Sequence, residues 1–223
     1  MLRIVTLVAL VLSLQPGQVP KQPKVFPGPS EPDWLAILDG FYGLSMFGDL
    51  ANPVKEGGVE ATPGRFRRVG PGPVAFTPVF ALGLETPNRG GWYRPGDGPG
   101  RPNKVELWSY QFKHTSSDLE KGTNLPLALM PGGTTSFDPG AGPFGLWVSN
   151  DALDDGGVFS EPRAVAAINA RLARQPYKAM IYPFKDKATG QVVPHSYLIG
   201  WEYSTNDDFQ DVVCRIDNVE LVD

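Results

Sequence analysis

Four carboxylates and the Asn206 amide crowd the segment 202–211 as candidate oxygen ligands: Glu202, Asn206, Asp207, Asp208 and Asp211. An apolar run, Tyr197-Leu-Ile-Gly-Trp201, leads into them, and Val212-Val213 follows. A hard cation such as Ca2+ takes roughly six to eight oxygen ligands from carboxylates, amides and carbonyls. Carboxylates this close repel one another unless a cation or hydrogen-bond donors compensate. The spacing is not that of an EF-hand loop. Two readings therefore stand side by side. In one, the five residues hold a structural Ca2+; in the other, the segment is an acidic turn satisfied by its own backbone amides. Either way, it is expected to pin two adjacent strands.

Other chemistry finds less to work with. The one cysteine, Cys214, allows no intrachain disulfide, and two histidines, His114 and His195, exclude zinc sites built from Cys and His clusters. Cys214 lies between Val213 and Arg215 on a predicted strand and reads as a small buried hydrophobe. No G-x-S-x-G elbow occurs. Glycoside hydrolysis needs two facing carboxylates, and nothing in the spacing of Glu85, Glu106 and Glu202 selects a pair. No catalytic residue is assigned, and the chain is read as a non-enzyme. Of the five tryptophans, four read as core. Trp92 is the exception: with Tyr93 it falls in the Gly/Pro-rich stretch 86–103, where exposed rings would be available to a ligand such as a sugar face. These two are the ligand-binding candidates, and a carbohydrate-binding module or glycoside-hydrolase-like protein is the rival reading. Arg65, Arg67 and Arg68 read as a solvated strand face.

The net charge of −4 argues against a nucleic-acid partner, which would want a basic stripe. Arg3 followed by the apolar run Ile4–Leu14 matches a secretory signal. That run is too short to cross a bilayer, which takes about 20 residues. Residues 1–20 are therefore expected to be a signal peptide, leaving no membrane span and an extracytoplasmic protein. Residues 21–32, with Pro20, Pro23, Pro27, Pro29 and Pro32 in and beside them, read as an extended linker. Residues 33–223 are expected to form a single domain. Its partner class is a cell-surface glycan or an envelope protein.

The elements that must position the acidic segment read mostly as strands. Val74–Leu84 is a long apolar run broken by Pro78, which belongs at an edge, a bulge or a break because it donates nothing to a ladder. Lys104–Lys113, Leu125–Met130, Phe144–Ser149, Lys178–Phe184, Val212–Ile216 and Val219–Val222 are further strand candidates. Asp186–Gly190 reads as a turn, with Gly190 at positive φ. Two helices are expected: a short one at Trp34–Leu38, and Ser160–Gln175 with Ser160 as N-cap and Val165, Ile168 and Leu172 on one face. Many short strands between Gly- and Pro-rich turns, from 26 glycines and 23 prolines, predict an antiparallel β-sandwich of jelly-roll type carrying one or two short helices.

The stretch Tyr197-Leu-Ile-Gly-Trp-Glu202, a short polar turn, then Asp208-Phe-Gln-Asp211-Val-Val resembles the C-terminal signature of the DUF4114 group of secreted bacterial proteins. Phe144-Gly-Leu-Trp147-Val resembles an earlier strand of that group, Tyr182-Pro-Phe184 the strand before the signature, and Leu38–Gly43 its opening helix. The resemblance implies a β-sandwich accessory domain of exported adhesins and hydrolases. Glu202, Asp208 and Asp211 match the signature's acids. Tyr203 stands where the signature has a carboxylate, and Ser204-Thr-Asn206 replaces its longer glycine-rich turn, so a cation loop here would be rearranged.

Overall fold

The computed structural model describes residues 64–82, 87–96, 103–110, 114–121, 129–150, 157–161, 177–186, 188–203 and 206–222. The expected signal peptide, the linker, the helix at Trp34–Leu38 and all but the start of Ser160–Gln175 lie outside them.

Eleven strands occur among the described residues: β1 (Arg65–Arg68), β2 (Val74–Ala81), β3 (Asn88–Tyr93), β4 (Lys104–Tyr110), β5 (Ser136–Phe137), β6 (Gly145–Asn150), β7 (Val158–Phe159), β8 (Ala179–Lys185), β9 (Val192–Trp201), β10 (Val212–Asp217) and β11 (Val219–Val222). They form a five-stranded sheet in the order β5-β2-β10-β9-β8, a four-stranded sheet β4-β3-β6-β7, and the pair β1-β11, all antiparallel. The fold is the β-sandwich that the strand pattern predicts. Its core draws Phe76, Ile181, Ile199, Val212, Cys214 and Ile216 from the larger sheet and Trp108, Tyr110, Leu146 and Val148 from the smaller. Phe76 stacks on Trp108 at 5.2 Å between ring centroids, and Trp108 on Tyr110 at 4.5 Å. Ring pairs of this kind add about 0.5–1.5 kcal/mol beyond the area they bury.

Pro78 sits where β2 bulges against β10: Val213 pairs with Phe80 and Cys214 with Pro78. The bulge absorbs a residue that could donate nothing to the ladder. Asn218, at φ 67°, reverses the chain between β10 and β11. Its amide receives Gly70 N–H and donates to the carbonyls of Gly72 and Pro73, which ties the β1–β2 turn to the C-terminal hairpin.

Several local readings are corrected. Trp92 and Tyr93 are not in a loop; they end β3, a central strand of the smaller sheet. The glycines before them are close-approach sites. A Cβ on Gly91 would stand 1.9 Å from the Val105 carbonyl oxygen, and one on Gly90 would stand 2.0 Å from the Trp108 ring. Leu129 and Met130, the described end of an expected strand, belong to no strand. Ser160 works in the sheets: its hydroxyl accepts from Leu146 N–H at 2.9 Å and donates to the Gly64 carbonyl at 2.6 Å. The helix α1 (Ser116–Lys121) was not anticipated, although Thr115 and Asp118 form a reciprocal cap at its start. Arg65 is half-buried and pairs with the buried Glu161, while Arg67 on the same strand is exposed.

Gly91→Ala tests the close approach of β3 to β4. Because the obstruction is backbone on a paired strand, the substitution is expected to cost about 1–3 kcal/mol and lower the melting temperature by several degrees. A melt unchanged from the parent would contradict the register.

A buried acidic clasp at one end of the larger sheet

At one end of the five-stranded sheet, β8 begins, β9 finishes and β10 begins. Ala179, Trp201 and Val212 are paired there across the three strands. Lys178, Glu202 and Asp211 each stand one residue beyond that row. Glu202 N–H donates to the Lys178 carbonyl at 3.0 Å, Asp211 N–H to the Trp201 carbonyl at 3.1 Å, and Leu82 N–H to the Asp211 carbonyl at 2.9 Å. The sheet thus fixes the backbone of all three residues. His114 secures the neighbouring end of β2: its Nδ1 accepts from Ala81 N–H at 3.2 Å, and its own N–H donates to the Ala81 carbonyl.

The connection between β9 and β10 carries the remaining acids. Asp207 and Phe209 both adopt φ of 61°, so the chain turns sharply and carries the Phe209 ring inward, where it is fully buried. Left-handed backbone is tolerated by aspartate and costly for a bulky residue, so Phe209 holds it only because its ring is packed. The turn brings Asp208 N–H to Glu202 Oε2 at 2.9 Å. Asp208 Oδ2 accepts from Asn206 Nδ2 at 2.7 Å and Gln210 Nε2 at 3.0 Å. Asp211 Oδ2 accepts from Tyr203 N–H at 2.7 Å, and the Tyr203 hydroxyl donates to the Ser149 carbonyl on β6, tying the clasp to the smaller sheet.

All of this is buried. Glu202, Asp207, Asp208 and Lys178 are 0 % exposed and Asp211 4 %, while Asn206 is exposed. Among the described residues, these four carboxylates stand with one buried ammonium, Lys178. The electrostatics record that crowding. Burial pushes the Asp211 carboxyl well above its usual range, and Glu202 beside it pushes further. Burial raises Glu202 as well, helped by Asp208 and Asp207 and opposed by Lys178. Burial lowers Lys178, while Glu202, Asp207 and Asp211 hold its proton on. Glu202 Oε1 receives no N–H donor, and the Glu202 carboxyl lies within hydrogen-bond reach of that of Asp211.

The five residues predicted to act together are therefore neighbours, with Asn206 at the rim. Lys178 was missed as a member. Its sequence signal is a lysine flanked by Tyr177 and the apolar run Ala179-Met-Ile. As they stand, no three or more Asp, Glu, His or Cys side chains among the described residues are arranged to hold a metal ion. The chemistry of the donor set suits a hard cation, and Glu202 Oε1 is an oxygen ready for one, but the set is not a closed cage.

The other candidates separate. Tyr93 is 1 % exposed; its hydroxyl donates to Glu161 Oε2 at 3.5 Å, so it presents no ring to a ligand. Trp92 is half-buried, stacked on Phe137 at 5.9 Å with the Arg94 guanidinium 5.5 Å from its centroid. Glu106 is exposed on β4, Glu202 is sealed on the other sheet, and Glu85 lies outside the described residues. The Cys214 thiol, fully buried, is pushed up to about 12 by burial, which leaves it inert as a nucleophile. Set beside known proteins, the chain matches no family model, no curated protein and no solved structure.

The raised Glu202 carboxyl fixes a pH dependence. A group whose folded pKa lies above its unfolded value contributes stability that is full below the unfolded value and is lost as pH rises through the folded one. In the presence of chelator, the melting temperature is therefore expected to fall as pH is raised from about 4 towards neutrality. Glu202→Gln, which keeps the shape and removes one of the two raised carboxyls, should lessen that fall, with Asp211 supplying the remainder. An identical slope in parent and variant would exclude the buried-carboxyl account.

Proposed function

We propose that this chain is an exported, non-catalytic β-sandwich accessory domain that associates with a cell-surface glycan or an envelope protein, and that its clasp takes one structural Ca2+. The observation that carries the reading is the crowding of four buried carboxyl groups around Glu202, whose Oε1 receives no N–H donor. Buried charges in folded proteins are paired or bound to metal, and among the described residues these four buried carboxylates stand with one buried lysine, Lys178. Glu202, Asp207, Asp208 and Asp211 would supply the carboxylate oxygens, with Asn206 closing the solvent side. The ion would draw the β9–β10 connection onto the sheet end and lend it rigidity.

The resemblance of Tyr197–Val213 to the DUF4114 signature supports the accessory role, and the apolar leader with Arg3 supports export into a calcium-containing milieu. The non-catalytic reading is supported by the separation of the candidate acids: Glu106 is exposed and Glu202 enclosed.

Thermal melts in millimolar Ca2+ and in chelator test the ion. An ion present at about 100 times its dissociation constant stabilises by about 2.7 kcal/mol, so a rise of several degrees is expected. Asp208→Asn should reduce that rise. Superimposable melts with and without Ca2+ would remove the ion from the proposal. A glycan array run beside polysaccharide hydrolysis assays tests the rest: turnover of any polysaccharide would overturn the non-catalytic reading.

A further inference from the structure

Away from the clasp, one cation is held in place without an acceptor. Arg65, Arg67, Arg68 and Arg215 each meet a carboxylate: Glu161, Glu220, Asp138 and Asp217 in turn. Arg94, the residue after β3, is exposed and meets none among the described residues. Its guanidinium is nevertheless positioned. The central carbon stands 5.5 Å over the Trp92 ring, whose electron-rich face attracts a cation. The turn between β5 and β6 lies against it as well. A Cβ on Gly140 would stand 3.3 Å from Nη2 of Arg94, and one on Gly142 would stand 3.6 Å from Nη1. The two glycines thus let the planar group rest on the turn. Gly140 also takes a φ of 76°, which residues with a side chain rarely hold.

The turn offers Arg94 no counter-charge. Asp138 is the one acid between Phe137 and Phe144. Its carboxylate accepts from Gly140 N–H at 2.7 Å and pairs with Arg68 at 3.0 Å. Two guanidinium groups and one carboxylate therefore meet this turn, a local positive balance on a chain whose net charge is −4. Trp92 is not a platform for a sugar ring here. Phe137 stacks on it at 5.9 Å, Phe144 meets it edge-on, and Arg94 stands over it. Its part is to position the guanidinium.

We propose that Arg94, seated on Trp92 and the Gly140–Gly142 turn, binds an anionic group of a cell-surface glycan, a uronate carboxylate or a sulfate ester. A guanidinium presents its N–H donors in a planar fork that engages two oxygens of such a group at once. Because contacts on the ring and the turn already orient that fork, less freedom is lost on binding than from an unsupported side chain. Arg94, Asp138 and Ala141 are all exposed, so a polymer can lie across the turn. The proposal rests on the glycan reading given above and adds the charge of the sugar. It does not involve the clasp or its ion.

Binding of the folded full chain to polygalacturonate, dextran sulfate and neutral dextran, measured in chelator, tests the proposal. One or both charged polymers are expected to bind and dextran is not; the arm that binds tells carboxylate from sulfate. Arg94→Gln, on the surface and with its fold checked by its melt, is expected to weaken that binding about tenfold. Arg94→Lys should restore part of the loss, since it keeps the charge without the fork. Arg67→Gln, a change at another exposed arginine, should leave the affinity as it was. Charged-polymer binding that survives Arg94→Gln would overturn the proposal, and so would an equal loss in Arg67→Gln, which marks diffuse attraction. Dextran bound as tightly as the charged polymers would overturn the anion while leaving the glycan reading standing. Silence in all three arms would overturn the site, and the glycan array then decides the wider reading separately.

Discussion

The constraint behind this structure is the cost of keeping charge away from water. Taking an ion into a low-dielectric interior costs several kcal/mol even after relaxation, and Coulombic attraction repays it only when geometry is good and the remaining lone pairs are satisfied. The clasp at the end of β8, β9 and β10 meets that demand in part. Backbone N–H groups of Tyr203 and Asp208, and the side-chain amides of Asn206 and Gln210, aim at its carboxylates. The left-handed residues Asp207 and Phe209 bend the connection so that these donors arrive. Strain, burial and hydrogen bonding are therefore one feature, and the strand pairing on either side holds it in place.

A second buried charge is handled differently. Glu161 is 3 % exposed, yet Arg65 engages it directly and the Tyr93 hydroxyl donates to it. Burial, with the negative charge of Glu161 beside it, keeps the Tyr93 phenol from ionising. One carboxylate with one guanidinium and one phenol closes its own account. The clasp crowds four carboxyl groups beside one buried lysine among the described residues, and that contrast is why it, and not the Arg65–Glu161 pair, is the place to look for further chemistry.

Much of the fold was legible because strand period and turn chemistry are local. Val219–Val222 agrees with its predicted bounds, and Pro78 marks a bulge as its missing N–H requires. Asp186–Gly190 forms the turn its residues imply: the Asp186 carboxylate accepts from Thr189 and Gly190 stands at φ 67°. Where the reading failed, a residue type had two physical meanings. Gly90 and Gly91 looked like loop formers, but they are small because Trp108 and the Val105 backbone occupy the space a Cβ would need. The Ser160 hydroxyl bridges Leu146 and Gly64, a long-range role that its residue type did not announce. Arg67 is exposed as its type suggests, but Arg65 on the same strand meets a buried glutamate 96 residues away.

By itself, the sequence determined that short strands alternate with tight turns, that Cys214 belongs to the core, and that carboxylates crowd between two strands near the C-terminal end. These follow from residue type and spacing, which the chain carries locally. Only the tertiary structure decided that the crowd is enclosed, that Lys178 from another strand stands among it, and that Tyr93 is sealed beneath the surface. Dielectric surroundings and long-range neighbours are created when sheets pack, and no local pattern encodes them.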